Sequence, residues 1–545
     1  MSAHPQTGVK GSDCYDSTGD PRVDLSVQLV RGLSFGQIAK GLQSIFAMGT
    51  PESFEDAFVL AFQTRNIRGG KGERQLMQNM LVYLMSQYPS LTQNLLEFVP
   101  TYGCWRDLIA LAEACPKAED AVVSLFVNQL LADSLIVGDK PISLCAKWAP
   151  RERNHMHLAK AVAKRMFPEV RELSDRLRQY RKLVSSLNTK IHTTEIKMCS
   201  NDWETIEPTQ VPARCLQKHR KAFLNESLNS QELRHPHNEV RLACREHFQD
   251  FFTRAAKGEV KMNGADTLYP HEVVKTILEN QYTEDTYNLL VAQWKAFVDR
   301  AKEGGAMRRM KAMCDFSGSM DGLPKLICTA LGILVSEVSG SNEILTFDSE
   351  PQVHRFDPDA TIVEKVLSIS DSCLGRGLST DFQKAMDLVL EEVVRKRMRP
   401  EDIPTDLVVF TDMGWDQACD SAHSSYYSGN SYRHVVKTEP WQTHLEMIRE
   451  AWKRKGEDMW GEAFVPPRIV VWNLRSEYRD FHATSNQEGV VMLSGWSPSL
   501  FKMFQEKGIE LSTPMSALRA QLDDPLYDPV RVAVRQWREL NSSVV

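Results

Sequence analysis

The eight residues Met313-Cys314-Asp315-Phe316-Ser317-Gly318-Ser319-Met320 constrain this chain more than any other stretch. They continue a short apolar run, Met310 to Cys314, that reads as a buried strand. After Gly322-Leu323-Pro324 a helical pattern begins, with Leu326, Ile327, Ala330, Leu331, Leu334, Val335 and Val338 on an apolar-rich surface. Strand, polar loop, helix is the arrangement in which open α/β sheets set ligand sites at strand carboxyl ends. Alternation lets Asp315, Ser317 and Ser319 turn three oxygens toward one point, and a hard divalent cation takes such oxygens. The plainer expectation for this loop is an Asx or Ser turn whose side chains only cap the following helix.

Two later segments extend the pattern. Gly377-Leu378-Ser379-Thr380-Asp381 precedes a helical stretch containing Phe382, Ala385, Met386, Leu388, Val389 and Val393. Leu407-Val408-Val409-Phe410-Thr411-Asp412 is a strand ending on a carboxylate. An Asp-x-Ser-x-Ser loop, a distant Thr and a strand-terminal Asp resemble the metal-ion-dependent adhesion site of von Willebrand factor A domains. Carried over position by position, the resemblance implies that Asp315, Ser317, Ser319, Thr380 and Asp412 hold Mg²⁺, with Mn²⁺ or Ca²⁺ as substitutes. Asp381 is expected as a helix N-terminal charge or as an acceptor behind the ligands. Two carboxylates would offset the charge of the ion, and neutral hydroxyls would leave it electrophilic. In that family an acidic residue of a protein ligand completes the coordination.

At 545 residues the chain is too long for one ordinary core. The composition shifts around Gly304-Gly305, which sets an expected boundary. Beyond it strands and helices alternate: Met310–Cys314, helix 323–338, Glu343–Phe347, helices 361–369 and 381–397, Asp406–Thr411, then Arg468–Asn473 and Gly489–Leu493. Such alternation means a mainly parallel sheet with helices on both faces. The fold class is thus multidomain: a polar, flexible tail over 1–22, an all-α, HEAT-like helical-repeat domain over 23–304, and a doubly wound, Rossmann-like A-type domain over 305–545. An insertion over 417–467 interrupts the last of these. Its first half is polar and tyrosine-rich, and its second half fits a helix from Trp441 to Arg454 ended by Gly456.

The helical half shows apolar stripes such as Leu76, Met77, Met80, Leu81, Leu84, Met85 and Val122, Val123, Phe126, Val127, Leu130, Leu131. Net charge is −6, yet Lys147 to Lys221 holds 17 Lys/Arg against 8 Asp/Glu. An asymmetry of that size suits a polyanionic partner. Candidate RNA-binding residues are Arg68, Lys71 and Arg74 in a glycine-rich corner, and Lys147, Trp148, Arg151 and Arg153 beside a tryptophan. Guanidinium and aromatic planes stack on unpaired bases while basic groups neutralise phosphate. The corner departs from a phosphate-binding loop, because Gly72 follows the lysine where Ser or Thr is required. The plain alternatives are a helix-connecting turn with exposed charge, and core tryptophans whose neighbouring arginines pair with Asp107 or Glu152.

With Arg178 to Leu187, Trp203 and Pro212-Ala213-Arg214, these segments resemble a family of helical proteins carrying a C-terminal A-type domain, distantly similar to the TROVE family of Ro ribonucleoproteins. That resemblance implies single-stranded or small structured RNA as a partner. Eleven cysteines without a Cys-x-x-Cys pair, and no recognised metal-ligand spacing of histidines, point away from a disulfide framework or zinc module. They favour the cytoplasm or nucleus. No apolar run is long enough to span a bilayer, so no membrane partner is expected. The expected function is a non-enzymatic binding protein. The competing classes are a protein-only scaffold and a metal-dependent hydrolase using Asp315, Asp381 and Asp412.

Overall fold

The computed structural model describes residues 3–8, 13–138, 140–227, 230, 232–262, 268–279, 283–303, 309–347, 351–371, 382–415, 441–500 and 511–541. Contacts divide the chain into two compact units, Met1–Ser53 with Tyr269–Asp524, and Phe54–Leu268 with Pro525–Val545. The units therefore part elsewhere than at 304/305. The sheet unit holds β1 (Pro5–Thr7), β2 (Asp13–Tyr15), α1 (Pro21–Gln28), α2 (Phe35–Phe46), α3 (Pro270–Leu278) and α4 (Glu284–Glu303). There follow β3 (Met310–Asp315), α5 (Leu323–Ser339), β4 (Glu343–Phe347), β5 (Val353–Arg355), α6 (Ile362–Asp371) and α7 (Phe382–Arg395). Then come β6 (Asp406–Thr411), α8 (Trp441–Trp460), β7 (Arg468–Asn473), β8 (Val490–Ser494) and α9 (Pro514–Leu522).

Among the described residues the main sheet has six strands in the order β5-β4-β3-β6-β7-β8. All neighbours are parallel except the edge strand β5, which runs antiparallel to β4. The first strand of the sheet lies in the middle, its second and third on one side and the rest on the other. That is a doubly wound order, and its switch point falls between β3 and β6. Every residue of β3, β6 and β8 is buried, so both faces of the sheet are covered. The opposite end of β3 carries Lys311, buried and paired with Glu343 at 2.7 Å and Glu392 at 3.0 Å.

Two stretches assigned by composition elsewhere belong to this unit. Helices α3 and α4 pack on α5 and α6, which is why α5 is buried at every position from Ile327 to Ser336. Trp294 Nε1 donates to Glu337 Oε1 at 3.1 Å, and Glu337 also pairs with buried Lys365 at 2.9 Å. The supposed tail is likewise folded, its strand β1 pairing antiparallel with β2. Tyr15 and Phe481 exchange backbone hydrogen bonds of 2.8 and 3.1 Å. Asp20 caps α1 by accepting from Arg22 N at 2.8 Å, and Asn473 Nδ2 and Ser494 Oγ donate to the carbonyls of Val27 and Ser26. The Ser, Thr and Asp content that resembles a mobile tail is consumed as caps and turn acceptors.

In the inserted segment, helix α8 does not stop at Gly456 but runs to Trp460. A Cβ at 456 would lie 2.2 Å from Phe464 N and 2.4 Å from Glu462 O. The glycine marks the returning chain pressed against the helix, not a helix end. Residues 416–440 lie outside the described residues.

The helical unit contains, among others, helices Arg74–Gln87, Trp105–Ala114, Glu119–Leu135, Glu152–Met166, Leu173–Ile191, Ala213–Phe223 and Glu239–Lys257. The stripe from Leu76 to Met85 is buried throughout, and so are Val122 to Leu130 of the second, whereas Leu131 is exposed. The last helix, Asp528–Leu540, belongs here rather than to the sheet. Arg531 pairs with Asp56 at 3.0 Å and Glu55 at 3.4 Å in a buried setting, and Trp537 lies parallel to Phe54 with ring centres 6.4 Å apart.

Candidate metal centre

The site is built at the switch point. The β3–β6 register sets Cys314 opposite Phe410, so Asp315 and Asp412 end adjacent parallel strands, which stand about 4.8 Å apart. Both carboxylates are fully buried. Asp315 accepts from Ser317 N at 2.9 Å and from Thr411 Oγ1 at 2.9 Å. Ser317 Oγ lies 3.1 Å from Ser319 Oγ. Asp412 Oδ1 accepts from Gly414 N at 2.9 Å, while its Oδ2 is buried with no hydrogen-bond partner. Among the described residues neither carboxylate is paired with a Lys or Arg. Burial first, and the charge of Asp412 second, push the Asp315 carboxyl up to about 7.

The residue that caps α5 is Gly322, with no side-chain cap bond, and Ser317 makes none to the short turn Gly318–Met320. Neither of these two caps is made by a hydroxyl of the loop. The donor set of Asp315, Ser317, Ser319 and Asp412 is oxygen only, and it includes a buried carboxylate oxygen that lacks a partner. Leaving such an atom unpaired is costly, and a hard cation is the partner its chemistry fits. These residues fit Mg²⁺. Thr380 and Asp381 lie outside the described residues.

Several residues that hold this loop were invisible as a pattern. Thr411 donates to Asp315 and accepts from Met413 N and Trp415 Nε1, both at 3.1 Å. Met413 has φ of 70°, a left-handed conformation that β-strand ends rarely impose on a side-chain-bearing residue. His482 Nε2 donates to the Met413 carbonyl at 2.9 Å, and its ring stacks on Trp415 at 3.6 Å. Burial pulls the His482 imidazole down to about 4, so it is a neutral donor near pH 7. On its other side Trp415 stacks on Phe382, the first residue of α7, at 4.9 Å. Arg475, from the loop after β7, donates to the Ser319 carbonyl. These contacts come from four separate parts of the chain, and only the folded sheet brings them together.

The basic candidates are placed unevenly. Lys71 is 1% exposed, and burial pulls its ammonium down to about 7. Gly70 sits where a Cβ would lie 2.0 Å from the Gln63 carbonyl, so the corner folds tightly inward and the exposed-turn expectation fails for Lys71. Asp107 pairs with Arg65 at 2.6 Å and with Arg74, not with Arg106. Arg106 instead lies over the half-buried Trp148, 6.0 Å from its ring centre. Arg68 is exposed with its guanidinium on the Thr101 carbonyl at 3.0 Å. Lys147 pairs with Glu195 at 3.5 Å, and Glu152 pairs with Arg181. Arg151 and Arg153 are exposed, as are Lys160, Lys164, Arg178 and Lys182 on the packed helices Glu152–Met166 and Leu173–Ile191.

The chain is similar to two domain families. Residues 310–525 match the family described as Domain of unknown function (DUF7788), and residues 119–307 match Domain of unknown function (DUF2828). The seam between the matches, 307/310, lies beside the composition change at Gly304-Gly305, although α3 and α4 pack on α5 and α6. A protein of Acanthamoeba polyphaga mimivirus, "Uncharacterized protein L728", is 29% identical over 544 residues, covering 95% of this chain and 87% of its own. Among the described residues no helix is long and apolar enough to cross a membrane.

Proposed function

We propose that this is a non-enzymatic binding protein whose sheet unit is a von Willebrand factor A-like module holding Mg²⁺, with Mn²⁺ or Ca²⁺ as substitutes. The observation that carries this reading is the buried, unpartnered Oδ2 of Asp412, beside a second buried carboxylate and the hydroxyls of Ser317 and Ser319, 3.1 Å apart. Asp315 and Asp412 would supply the charge, Ser317 and Ser319 the neutral donors, with Thr380 and the backing Asp381 completing the set by resemblance. The bound ion would offer an electrophilic position to an acidic residue of a protein ligand. Against a hydrolase, the histidine in this loop cluster, His482, commits its Nε2 to a backbone carbonyl and so holds the loop in place. Calorimetric titration of the full chain with MgCl₂ should show one-site binding that Asp412→Ala abolishes. Unchanged affinity in the variant would remove the site.

The helical unit is proposed, as a HEAT-like and TROVE-like module, to engage single-stranded or small structured RNA. Its support is the set of exposed basic side chains at Arg151, Arg153, Lys160 and Lys164 within the +9 segment. Phosphate contacts release counterions, so affinity should fall steeply with salt. Arg151→Glu with Arg153→Glu should weaken binding of an unpaired oligonucleotide and flatten its salt slope by about two phosphates' worth. Equal anisotropy curves for the double variant would leave the protein-only scaffold as the better reading.

A further inference from the structure

Outside the sheet unit, three side chains of different chemistry converge in the helical one. Cys215 and His219 stand four residues apart on the helix Ala213–Phe223, so they share a face. Glu195, on the neighbouring short helix Thr194–Cys199, points at the same place. One ligand atom from each, Sγ, a ring nitrogen and a carboxylate oxygen, lies within 4.8 Å of the other two. Ligand atoms around a tetrahedral zinc stand about 3.3–3.8 Å apart, given bonds of 2.0–2.3 Å. Closing the difference asks for side-chain rotation of roughly an ångström.

We propose that Glu195, Cys215 and His219 form a zinc-class metal site with three protein ligands and an open fourth position. The donor set is sulfur, imidazole and carboxylate, which suits Zn²⁺ and not the hard Mg²⁺ assigned to the sheet unit. Cys215 is nearly buried, His219 and Glu195 are half-exposed, and the cluster is therefore held on one side and reachable from the other. Glu195 Oε2 is a buried oxygen without a hydrogen bond, its nearest cation being Lys147 Nζ at 3.5 Å. That separation is beyond hydrogen-bond length. Binding deprotonates the Cys215 thiol to thiolate, with the proton released to solvent, and it draws the Glu195 carboxylate from Lys147 to the metal. Only the S–H bond is broken, and no oxidation state changes.

Full-length protein freed of metal with a chelator is titrated with ZnCl₂ against a chromophoric competitor, and separately with CoCl₂ followed by absorbance. Zinc is expected to bind at one equivalent here, and Co²⁺ to give a thiolate charge-transfer band with d–d bands of tetrahedral strength. Cys215→Ser and His219→Ala should each remove the band and lower zinc affinity by more than about 100-fold, beyond what loss of an outer partner costs. Glu195→Gln, at a half-exposed side chain that leaves the core intact, should weaken binding by the same order. Lys147→Met should tighten it, since the competing ammonium is gone. Cys199→Ser, at an exposed thiol on the same short helix, should keep both band and affinity. A band that survives Cys215→Ser, or zinc affinity unmoved by Glu195→Gln, overturns the proposal and leaves an ordinary Lys147–Glu195 ion pair.

Discussion

Replacing Asp315 by Asn separates what the sheet-unit site costs the fold from what a cation returns to it. Holding a buried carboxyl up near 7 rather than at its ordinary 3.8 corresponds to about 4 kcal/mol of destabilisation at neutral pH. The sign follows from the raised value: the folded state binds the proton more tightly, so the penalty appears as pH rises above 3.8 and grows to about 7. Asn removes the charge but keeps an acceptor for Ser317 N. It loses the charge-assisted bond from Thr411, worth roughly 1.5–3 kcal/mol. The metal-free variant should therefore be more stable than the wild type by about 1–2.5 kcal/mol. The assay is urea unfolding with EDTA and again with excess MgCl₂. A cation at about 100 times its dissociation constant adds about 2.7 kcal/mol to the wild type, and should add nothing to the variant. A variant less stable than wild type in EDTA, or one that still gains from Mg²⁺, refutes the reasoning.

Other outcomes follow from the same structure. Lys311→Met leaves Glu343 and Glu392 buried with fewer cations and should cost about 3 kcal/mol in urea unfolding, because Lys396 and Arg355 still reach them. Burial and the charges of Arg31 and Lys275 pull His271 down to about 4. The unfolded chain then binds the extra proton, so stability should fall by about 3 kcal/mol as pH drops from 6.5 to 4. His271→Phe should flatten that limb of a denaturation-against-pH curve. A fragment covering 305–545 should be molten by near-ultraviolet circular dichroism and dye binding, since it lacks α1 to α4 and carries a final helix that packs with the other unit. A cooperative, native-like fragment would show that those helices are dispensable.

The strands and helices after residue 309 were legible because a sheet covered on both faces writes itself as short apolar runs, and each run ends on its polar loop. Asp315, Ser317 and Ser319 follow one such run and Asp412 ends another, and it was the resemblance to A-type domains that joined them into one expected set. The sequence also showed that Lys147 to Lys221 is basic, since charge is a sum that needs no fold. Which basic side chains of the helical unit face water is a different matter. Lys71 and Arg65 look as exposed as Arg151 in a list of residues, yet the first two are buried by a tight corner and a shared carboxylate. The allegiance of residues 13–53 and 269–303 to the sheet, and of the last helix to the helical unit, was likewise beyond the sequence. An amphipathic helix specifies that it must bury one face, not which partner covers it. The same holds at the sites. Thr411, Met413, Trp415 and His482 acquire their roles, and Glu195 meets Cys215 and His219, through contacts between segments distant in the chain, and those contacts exist only once the tertiary structure has closed.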